Sequence, residues 1–412
     1  MSALFLPKPD WARIRVPALF LICAASILLL QLVPLPPDLW QRLPDRAVYS
    51  DAAFLLGLEQ PWRPLSISPS STMNALASLV VPATILILAS YLSSEQQWRV
   101  VMVLLGMVVL GALIGLLQFT GLRFSNPFLN ATPGSVSGNL ANRNHFGLFL
   151  AIGCALSLVW STRLEGQRAM SLIGLGICLL FVLLILVTGS RASLGLGLAA
   201  IIMGLIIARA RIAEQLASIS KAWRIGVLGA GAAGTGLVWL IIRSGRAASV
   251  DRALADEFSG DSRSELWQVV LMMTERYMPF GTGFGTFDRA FRLSEPDAML
   301  RPQYYNQAHN DWLQAMLEGG LLGLGLVVGL VLWFVWRAAS IWGSAWRKKS
   351  EAQAQGMRVV LAQLGTVIIA LVMAASLIDY PARTPIIMAV LALASVWICK
   401  PAGSDLPQAR SG

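Results

Sequence analysis

The sequence contains 412 residues, of which 56% are hydrophobic and 13% are charged, and its mean hydropathy is +0.65. A soluble domain carries about 25% charged residues, so this composition excludes an ordinary soluble protein and indicates a polytopic membrane protein. The formal charge is +10, but the basic residues are spread over loops between apolar runs and form no single stripe, which argues against nucleic acid as a partner.

Ten apolar runs qualify as candidate spans, since a helix needs about 20 residues to cross a hydrocarbon core of ~30 Å. They cover residues 17–35, 73–92, 98–119, 145–160, 169–188, 191–208, 225–242, 317–338, 358–378 and 385–399. The fourth and tenth runs are short, and only Gly189 and Ser190 separate the fifth from the sixth. The predicted fold class is therefore an all-α polytopic membrane protein with about ten transmembrane helices.

The distribution of lysine and arginine predicts the orientation of these spans. Seventeen basic residues fall on the side that holds both termini, against seven in the short loops of the other side. Cytoplasmic loops carry the excess of positive charge, so both termini are expected to be cytoplasmic. The predicted organisation is a membrane bundle over 1–242, an extracytoplasmic loop over 243–316, further spans over 317–399 and a cytoplasmic tail over 400–412.

Two elements are predicted inside the loop 243–316. Ser262 and Glu265 form a capping-box pattern before "LWQVVLMMTERY", which predicts an amphipathic helix near the membrane surface. The glycines of "PFGTGFGTFDRAF", which follows, lack the preceding strand of a phosphate-binding loop. A turn that leads into a short helix is the preferred interpretation of that stretch.

Polar residues gather at the predicted outer ends of the spans, in "GNLANRNH", "TGSR" and "DYPART", and the spans carry essentially no charge at mid-depth. A proton-coupled transporter normally shows the opposite pattern. Arginine binds phosphate oxygens through two parallel hydrogen bonds, and a histidine near the headgroups can accept a proton from a hydroxyl. The pattern therefore favours an outward-facing site for a lipid-linked diphosphate. The four cysteines lie inside apolar runs without metal-ligand spacing, so no metal site is predicted.

Each candidate arginine also has a structural interpretation. Arg191 can extend to the lipid headgroups from a span end. Arg143 can do the same, in a segment where Asn142 or Asn144 is a candidate helix cap. Arg263, in the first turn of the loop helix, can pair with a neighbouring acid, Asp261 or Glu265.

The chain has only two histidines, His145 and His309. A structural role is the preferred interpretation of His145, at the mouth of a short span. His309 is a candidate general base and equally a residue at a helix N-terminus, with Asn310 or Asp311 as the cap.

The spacing around His309 resembles a known signature. His309 and Asn310 are followed by nine residues and then by Gly320 and Gly323, which resembles the histidine–polar, nine-residue, Gly-x-x-Gly pattern of the O-antigen ligase family. Further stretches agree in order: "LSISPSSTMNAL", "NRNHFGLFLAIG", "TGSRASLGLGL" and "SRSELWQVVLMMTERYMPFGTGFGTF". The resemblance covers roughly residues 64–338 as a set. The family also contains O-antigen and exopolysaccharide polymerases with overlapping motifs.

This resemblance implies a membrane-embedded C-type glycosyltransferase of the bacterial inner membrane, with its active site on the periplasmic side. The donor would be an undecaprenyl-diphosphate-linked glycan, and neither a metal nor a nucleotide cofactor would be needed. Arg191 and Arg263 are similar to diphosphate-binding arginines of the family, and His309 to the residue that assists the acceptor hydroxyl. Arg143 is a further diphosphate-binding candidate, with supporting roles for Asn310, Gly320, Gly323 and His145. Close helix packing is the expected role of the two glycines.

Three function classes stay open on this sequence. A ligase would attach the glycan to a lipid A core sugar, and a polymerase would extend a growing glycan, with a chain-length regulator as a candidate partner. A transporter would move the lipid-linked glycan without forming a bond. The lack of mid-membrane charge and of an evident internal repeat counts against the transporter.

Overall fold

The computed structural model describes residues 11–119, 136–162, 168–218, 262–300, 304–347 and 356–399, with six isolated positions between 225 and 240. The helices of this part, in chain order, are α1 (Trp11–Leu32), α2 (Pro37–Trp40), α3 (Ala47–Leu55), α4 (Pro69–Ser78), α5 (Val80–Ser90), α6 (Ser94–Phe119), α7 (Arg143–Ser161), α8 (Arg168–Thr188), α9 (Arg191–Ser218), α10 (Ser262–Tyr277), α11 (Phe287–Arg292), α12 (Asp311–Arg347), α13 (Met357–Ala375) and α14 (Pro385–Cys399). Two short strands, β1 (Pro34–Leu35) and β2 (Arg63–Pro64), pair antiparallel.

The predicted all-α membrane class is confirmed. Within the described residues, eight helical segments are long and apolar enough to cross a membrane: Ile14–Leu32, Pro69–Ser90, Ser94–Phe119, Arg143–Ser161, Met170–Thr188, Arg191–Glu214, Asp311–Gly343 and Met357–Ala375. Each overlaps one predicted span. The predicted span 385–399 forms the shorter apolar helix α14, and the predicted span 225–242 lies largely outside the described residues.

The chain divides into two compact units. The first comprises Met1–Tyr91, Phe258–Arg337 and Ser376–Val396, and the second comprises Leu92–Glu257, Ala338–Ala375 and Trp397–Gly412. In the first unit, α1 packs against α4 and α5. The ring of Phe20 in α1 also lies 5.8 Å from that of Trp333 in α12. Both units therefore join segments that are distant in sequence.

The predicted amphipathic helix is present as α10, and the predicted short helix as α11. Leu266, Val270 and Met273 lie on one face of α10, because residues three or four apart share a helix face, and all three are buried. They pack in one hydrophobic cluster with Phe287 of α11 and Leu317 of α12. This cluster fixes α10 against the chain segment that precedes α12.

Helix α12 is interrupted at Gly320, where φ is 57° and ψ is −145°. The break frees backbone groups that a continuous helix would pair internally. The turn after α10 binds them: Thr282 N–H donates to the carbonyl of Leu317 (3.0 Å), Gly283 N–H to that of Glu318 (2.9 Å), and Leu321 N–H to that of Pro279 (2.9 Å). Gly320 thus packs against a loop of the chain, whereas the sequence favoured close packing between helices.

Gly319 and Gly323 continue this close contact. A Cβ atom at Gly319 would lie 2.8 Å from the ring of Phe284, and one at Gly323 would lie 2.5 Å from the carbonyl oxygen of Ala315. Gly319 therefore lets the turn 278–285 approach α12, whereas Gly323 leaves room for the carbonyl of Ala315 in the same helix.

The second unit is arranged around α7, which contacts α6, α8, α9 and α13. Nearly all of α7 is buried, and small residues let its neighbours approach. A Cβ atom at Gly147 would meet Ser193 Oγ of α9 at 1.9 Å, and one at Gly153 would meet Val108 of α6 at 2.6 Å. Arg358 Nε at the start of α13 donates to Ser94 Oγ at the start of α6 (2.9 Å).

We expect Gly320→Ala to destabilise the protein, because an alanine cannot adopt this backbone conformation without strain of about 1–3 kcal/mol. Its Cβ would in addition lie 2.2 Å from the carbonyl oxygen of Pro279. Thermal unfolding of the purified protein in detergent measures the loss. Gly325→Ala is the matched control: no atom lies within 4 Å of its Cβ, and alanine in a helix is favoured over glycine by about 0.5–1 kcal/mol. Equal midpoints for the two variants would contradict the role of the break.

Candidate functional site

His309 lies directly before α12, in a segment fixed from both sides. The N–H of the preceding residue, Ala308, donates to Gln314 Oε1 (2.9 Å), and its carbonyl accepts from Trp267 Nε1 of α10 (3.0 Å). Asn310 Oδ1 accepts from the N–H groups of Trp312 (3.1 Å) and Leu313 (3.0 Å), so Asn310 is the N-cap of α12. His309 itself lies outside the helix.

The backbone of His309 has a φ of 48°. A positive φ is uncommon for residues other than glycine, and it persists only where the surrounding structure imposes it. Here the cap at Asn310 and the two hydrogen bonds of Ala308 impose it. The consequence is a defined direction for the imidazole.

The imidazole of His309 is paired with a carboxylate. Its Nδ1 lies 3.0 Å from Asp379 Oδ1, and the side chain of Asp379 is only 3% exposed, against 22% for His309. Oδ1 of Asp379 also accepts from the N–H of Tyr380 (3.1 Å), whose ring meets the imidazole edge-on at 5.0 Å. An ionised carboxylate only accepts hydrogen bonds, so beside such a carboxylate Nδ1 is the donor, and in the neutral imidazole the lone pair is then on Nε2.

Arg263, in the first turn of α10, reaches the same turn of the chain. Its Nη1 donates to the carbonyl of Ile378 at 3.1 Å, next to the residue that binds His309. Three parts of the sequence, around residues 263, 309 and 379, therefore meet in the first unit.

A buried ion-pair network holds the turn after α13 against α12. Arg383 Nε donates to Asp311 Oδ1 (3.2 Å), and Arg383 Nη2 donates to Glu318 Oε2 (3.0 Å). The side chain of Glu318 is fully buried. Burial lowers the pKa of Arg383, and the nearby carboxylates of Glu318 and Asp311 raise it. The two carboxylates together have the larger effect, so the pKa of Arg383 lies above its ordinary value.

The remaining oxygens of both carboxylates also have donors. Oδ2 of Asp311 accepts from Ser376 Oγ (2.9 Å) and from the N–H of Ala382 (3.1 Å). Oε1 of Glu318 accepts from Gln314 Nε2 (3.0 Å) and from the N–H of Phe287 (3.1 Å). A buried charge is stable only when it is paired and hydrogen-bonded, and these two are. Arg383, matched by two carboxylates, therefore has a structural task and is a poor candidate for a substrate anion.

The other predicted residues, Arg143, His145 and Arg191, belong to the second unit. Arg143 and Arg191 are the first residues of α7 and α9. Asn142 Oδ1 accepts from the N–H of Asn144 (2.8 Å), which confirms Asn142 as a cap. Ser190 Oγ accepts from the N–H of Ser193 (3.2 Å) and caps α9.

A cation is unfavourable at a helix N-terminus, because the unpaired N–H groups there already carry partial positive charge. Arg143 and Arg191 both occupy such positions. The contact between Gly147 and Ser193 brings the first turns of α7 and α9 together. Each of these helix starts is electropositive, because the first N–H groups of a helix have no acceptor within it. His145, in the first turn of α7, is buried, at 4% exposure.

Comparison with known protein families matches part of the chain. The family model described as O-antigen ligase matches residues 176–328, and no curated protein matches the chain. This part of the chain is similar to the O-antigen ligase family. The matched range contains Arg191, Arg263, His309, Gly320 and Gly323, although it is shorter than the range over which the motifs agree.

The similarity to the O-antigen ligase family, together with the eight apolar helices of the described residues, supports a multi-pass membrane enzyme of the ligase or polymerase type that uses lipid-linked glycans. The sequence assigned no role to Asp379, Arg383 or Glu318, and it offered Asp311 only as a helix cap. The first two lie in "DYPART", outside the matched range. The sequence feature that could have indicated them is an acidic and a basic residue, Asp379 and Arg383, inside a six-residue turn between two apolar runs.

We expect Arg383→Met to lower the free energy of unfolding by about 3–5 kcal/mol, because it leaves Glu318 buried without its charge partner. The double variant E318Q/R383M should recover part of that loss, since no buried carboxylate is then left unpaired at position 318. Detergent thermal unfolding checks both values.

Arg292→Met is the control for this pair of variants. Its ion pair with Asp288 is exposed, and exposed pairs contribute about 0–1 kcal/mol. A loss from Arg383→Met no larger than that from Arg292→Met would show that the buried network does not hold the turn.

Proposed function

We propose that this protein transfers a glycan from an undecaprenyl-diphosphate carrier to an acceptor hydroxyl at the periplasmic face of the bacterial inner membrane. The observation that supports this most directly is the pair formed by His309 Nδ1 and Asp379 Oδ1, 3.0 Å apart. A histidine held by a buried carboxylate is an arrangement suited to general-base catalysis.

The tautomer explains the proposed role of the pair. Asp379 accepts a hydrogen bond from Nδ1–H, which leaves the lone pair of Nε2 for the proton of the acceptor hydroxyl. When the imidazole takes up that proton it becomes a cation, and the adjacent carboxylate stabilises it. Asp379 is therefore proposed as a positioning residue and His309 as the catalytic base.

The bonds balance without a metal or a redox partner. The acceptor oxygen forms a new bond to the anomeric carbon of the donor sugar as its proton passes to His309. The bond from that carbon to the diphosphate oxygen breaks, and undecaprenyl diphosphate leaves as the anion. His309 returns the proton to solvent or to the leaving group before the next turnover.

The leaving diphosphate needs positive charge, and arginines are proposed to supply it. Arg191 and Arg143 stand at the electropositive helix starts of the second unit, where preorganised donors stabilise developing negative charge. For Arg263, the same role is proposed from the family resemblance alone.

Contacts within the first unit support the proposal that its polar groups lie on the same side of the membrane. Two contacts join segments from the predicted outer side there: Ile67 N–H donates to the carbonyl of Thr282 (2.9 Å), and Arg263 donates to that of Ile378, the last residue of the predicted span 358–378. We propose that the loop 243–316 covers the donor sugar on the periplasmic side.

Reconstitution of the purified protein in liposomes tests the proposed reaction. With an undecaprenyl-diphosphate glycan as donor and a lipid A core as acceptor, we expect a glycosylated core and free carrier. The His309→Ala enzyme should lose about 10²–10⁴-fold in rate. Lipid-linked multimers without transfer to the core would contradict the ligase assignment and support a polymerase.

Asp379→Asn tests the positioning role. We expect kcat to fall by roughly 10²–10⁴-fold with little change in KM for the donor, because a neutral amide cannot stabilise the imidazolium. The double variant H309A/D379N should be no slower than H309A, since residues that act as a unit are not additive.

The exposed Asp288 provides a control for this substitution, and Asp288→Asn should behave as wild type. Additive losses in the double variant, or a KM effect without a kcat effect, would reduce Asp379 to a structural residue.

A further inference from the structure

A cavity lined by two arginines lies in the first unit, in the segment between α1 and α4 that the proposed reaction does not use. Trp40, Arg46, Tyr49, Arg63 and Ser66 are among the residues that line its volume of about 50 Å³. By the same measure about 10–15 Å³ admits one water molecule, so the cavity has room for a small oxyanion.

Arg46 supplies the buried charge of this cavity. Its residue surface is only 5% exposed, and its Nη2 donates to the carbonyl of Leu65. Its Nε is buried and has no hydrogen-bond partner among the described residues. Burial lowers the pKa of Arg46, which shows that nearby negative charge does not offset its desolvation.

Arg63, on β2, supplies a second guanidinium. Its Cζ lies 5.4 Å from the ring centre of Trp40 and 5.8 Å from that of Tyr49, so aromatic rings fix its plane. Its Nε is likewise buried without a partner in the part of the chain that the structure describes. Within that part, neither Arg46 nor Arg63 has a carboxylate within ion-pair distance.

Among the described residues, the buried Nε groups of Arg46 and Arg63 have no acceptor, and such buried donors are costly unless an anion binds them. The planar guanidinium matches the two oxygens of a carboxylate or phosphate. We propose that this cavity is an oxyanion-binding site for a phosphate or carboxylate group carried by a saccharide or by a lipid headgroup. The proposal is independent of the transfer reaction, because no residue of the His309–Asp379 pair lines the cavity.

The test is direct binding to the full-length protein in phosphatidylcholine nanodiscs, by calorimetry, with inorganic phosphate, glucose 1-phosphate and glucuronate as probes. We expect each anion to bind and neutral glucose not to bind. Arg63→Gln and Arg46→Gln should each weaken binding by roughly tenfold or more, the value of one charged hydrogen bond.

Arg42→Gln is the matched control, since Arg42 is exposed in the same segment and does not line the cavity. It should bind the anions as the wild type does. Arg46 also donates to the carbonyl of Leu65 and so holds the segment, which gives Arg46→Gln a reason to fail to fold. In that case Arg63→Gln alone decides the test. Equal binding by wild type and Arg63→Gln, or equal binding of glucose, would overturn the proposal.

A second set of nanodiscs identifies the source of the oxyanion. These nanodiscs contain phosphatidylglycerol, and the affinity for glucuronate is compared with that in phosphatidylcholine. If phosphatidylglycerol lowers this affinity at least tenfold in the wild type but not in Arg63→Gln, a lipid phosphate occupies the site. If affinity is unchanged, the site serves a saccharide. Either result requires Arg46 and Arg63. The His309→Ala variant should lose glycan transfer but keep anion binding and its response to phosphatidylglycerol, so failure of the proposed reaction can be told apart from failure of this site.

Discussion

The site depends on the burial of charge in an otherwise apolar chain. Arg383 joins Asp311 and Glu318, at the two ends of the first segment of α12, and so fixes the turn 376–384 against that helix. Because Asp379 lies four residues before Arg383 in the same turn, this fixing also places its carboxylate at His309. A buried ion pair need not add stability over an apolar contact. Its value here is geometric, since it defines one position for a short turn.

The signature of the O-antigen ligase family acquires a physical meaning in this arrangement. The nine residues between Asn310 and Gly320 are the first segment of α12, about two and a half turns at 3.6 residues per turn. At one end of that segment the cap orients His309. At the other end Gly320 breaks the helix and admits the turn 278–285, which begins where α10 ends. The spacing therefore links the histidine to the loop helix that carries Arg263.

Local patterns in the sequence predicted most of the helices but not the partner of the histidine. Apolar runs and the capping pattern at Ser262 report on neighbours within a few residues, which is why eight spans and α10 agree with the structure. The pair of His309 and Asp379 joins residues 70 apart, and no periodicity encodes such a contact. Glu318 lies at the start of the predicted span 317–338, where an acid is also typical of a helix end. Gly320 was expected to pack on a helix, because its neighbours are apolar, whereas only the backbone angles reveal the break.

The general-base chemistry by itself does not choose an acceptor. A hydroxyl on a lipid A core sugar and one on a growing glycan have similar acidity, so the same imidazole serves either, and discrimination must come from binding contacts. In the first unit the segment between α1 and α4 is suited to this task, since it contacts the turn 278–285 through Ile67 and Thr282. Its Arg46 and Arg63 line a cavity, and within the described residues neither has a carboxylate at ion-pair distance. An acidic group recognised there would distinguish acceptors by charge while the reacting centre stays unchanged. Specificity and catalysis would then reside in different segments of one unit.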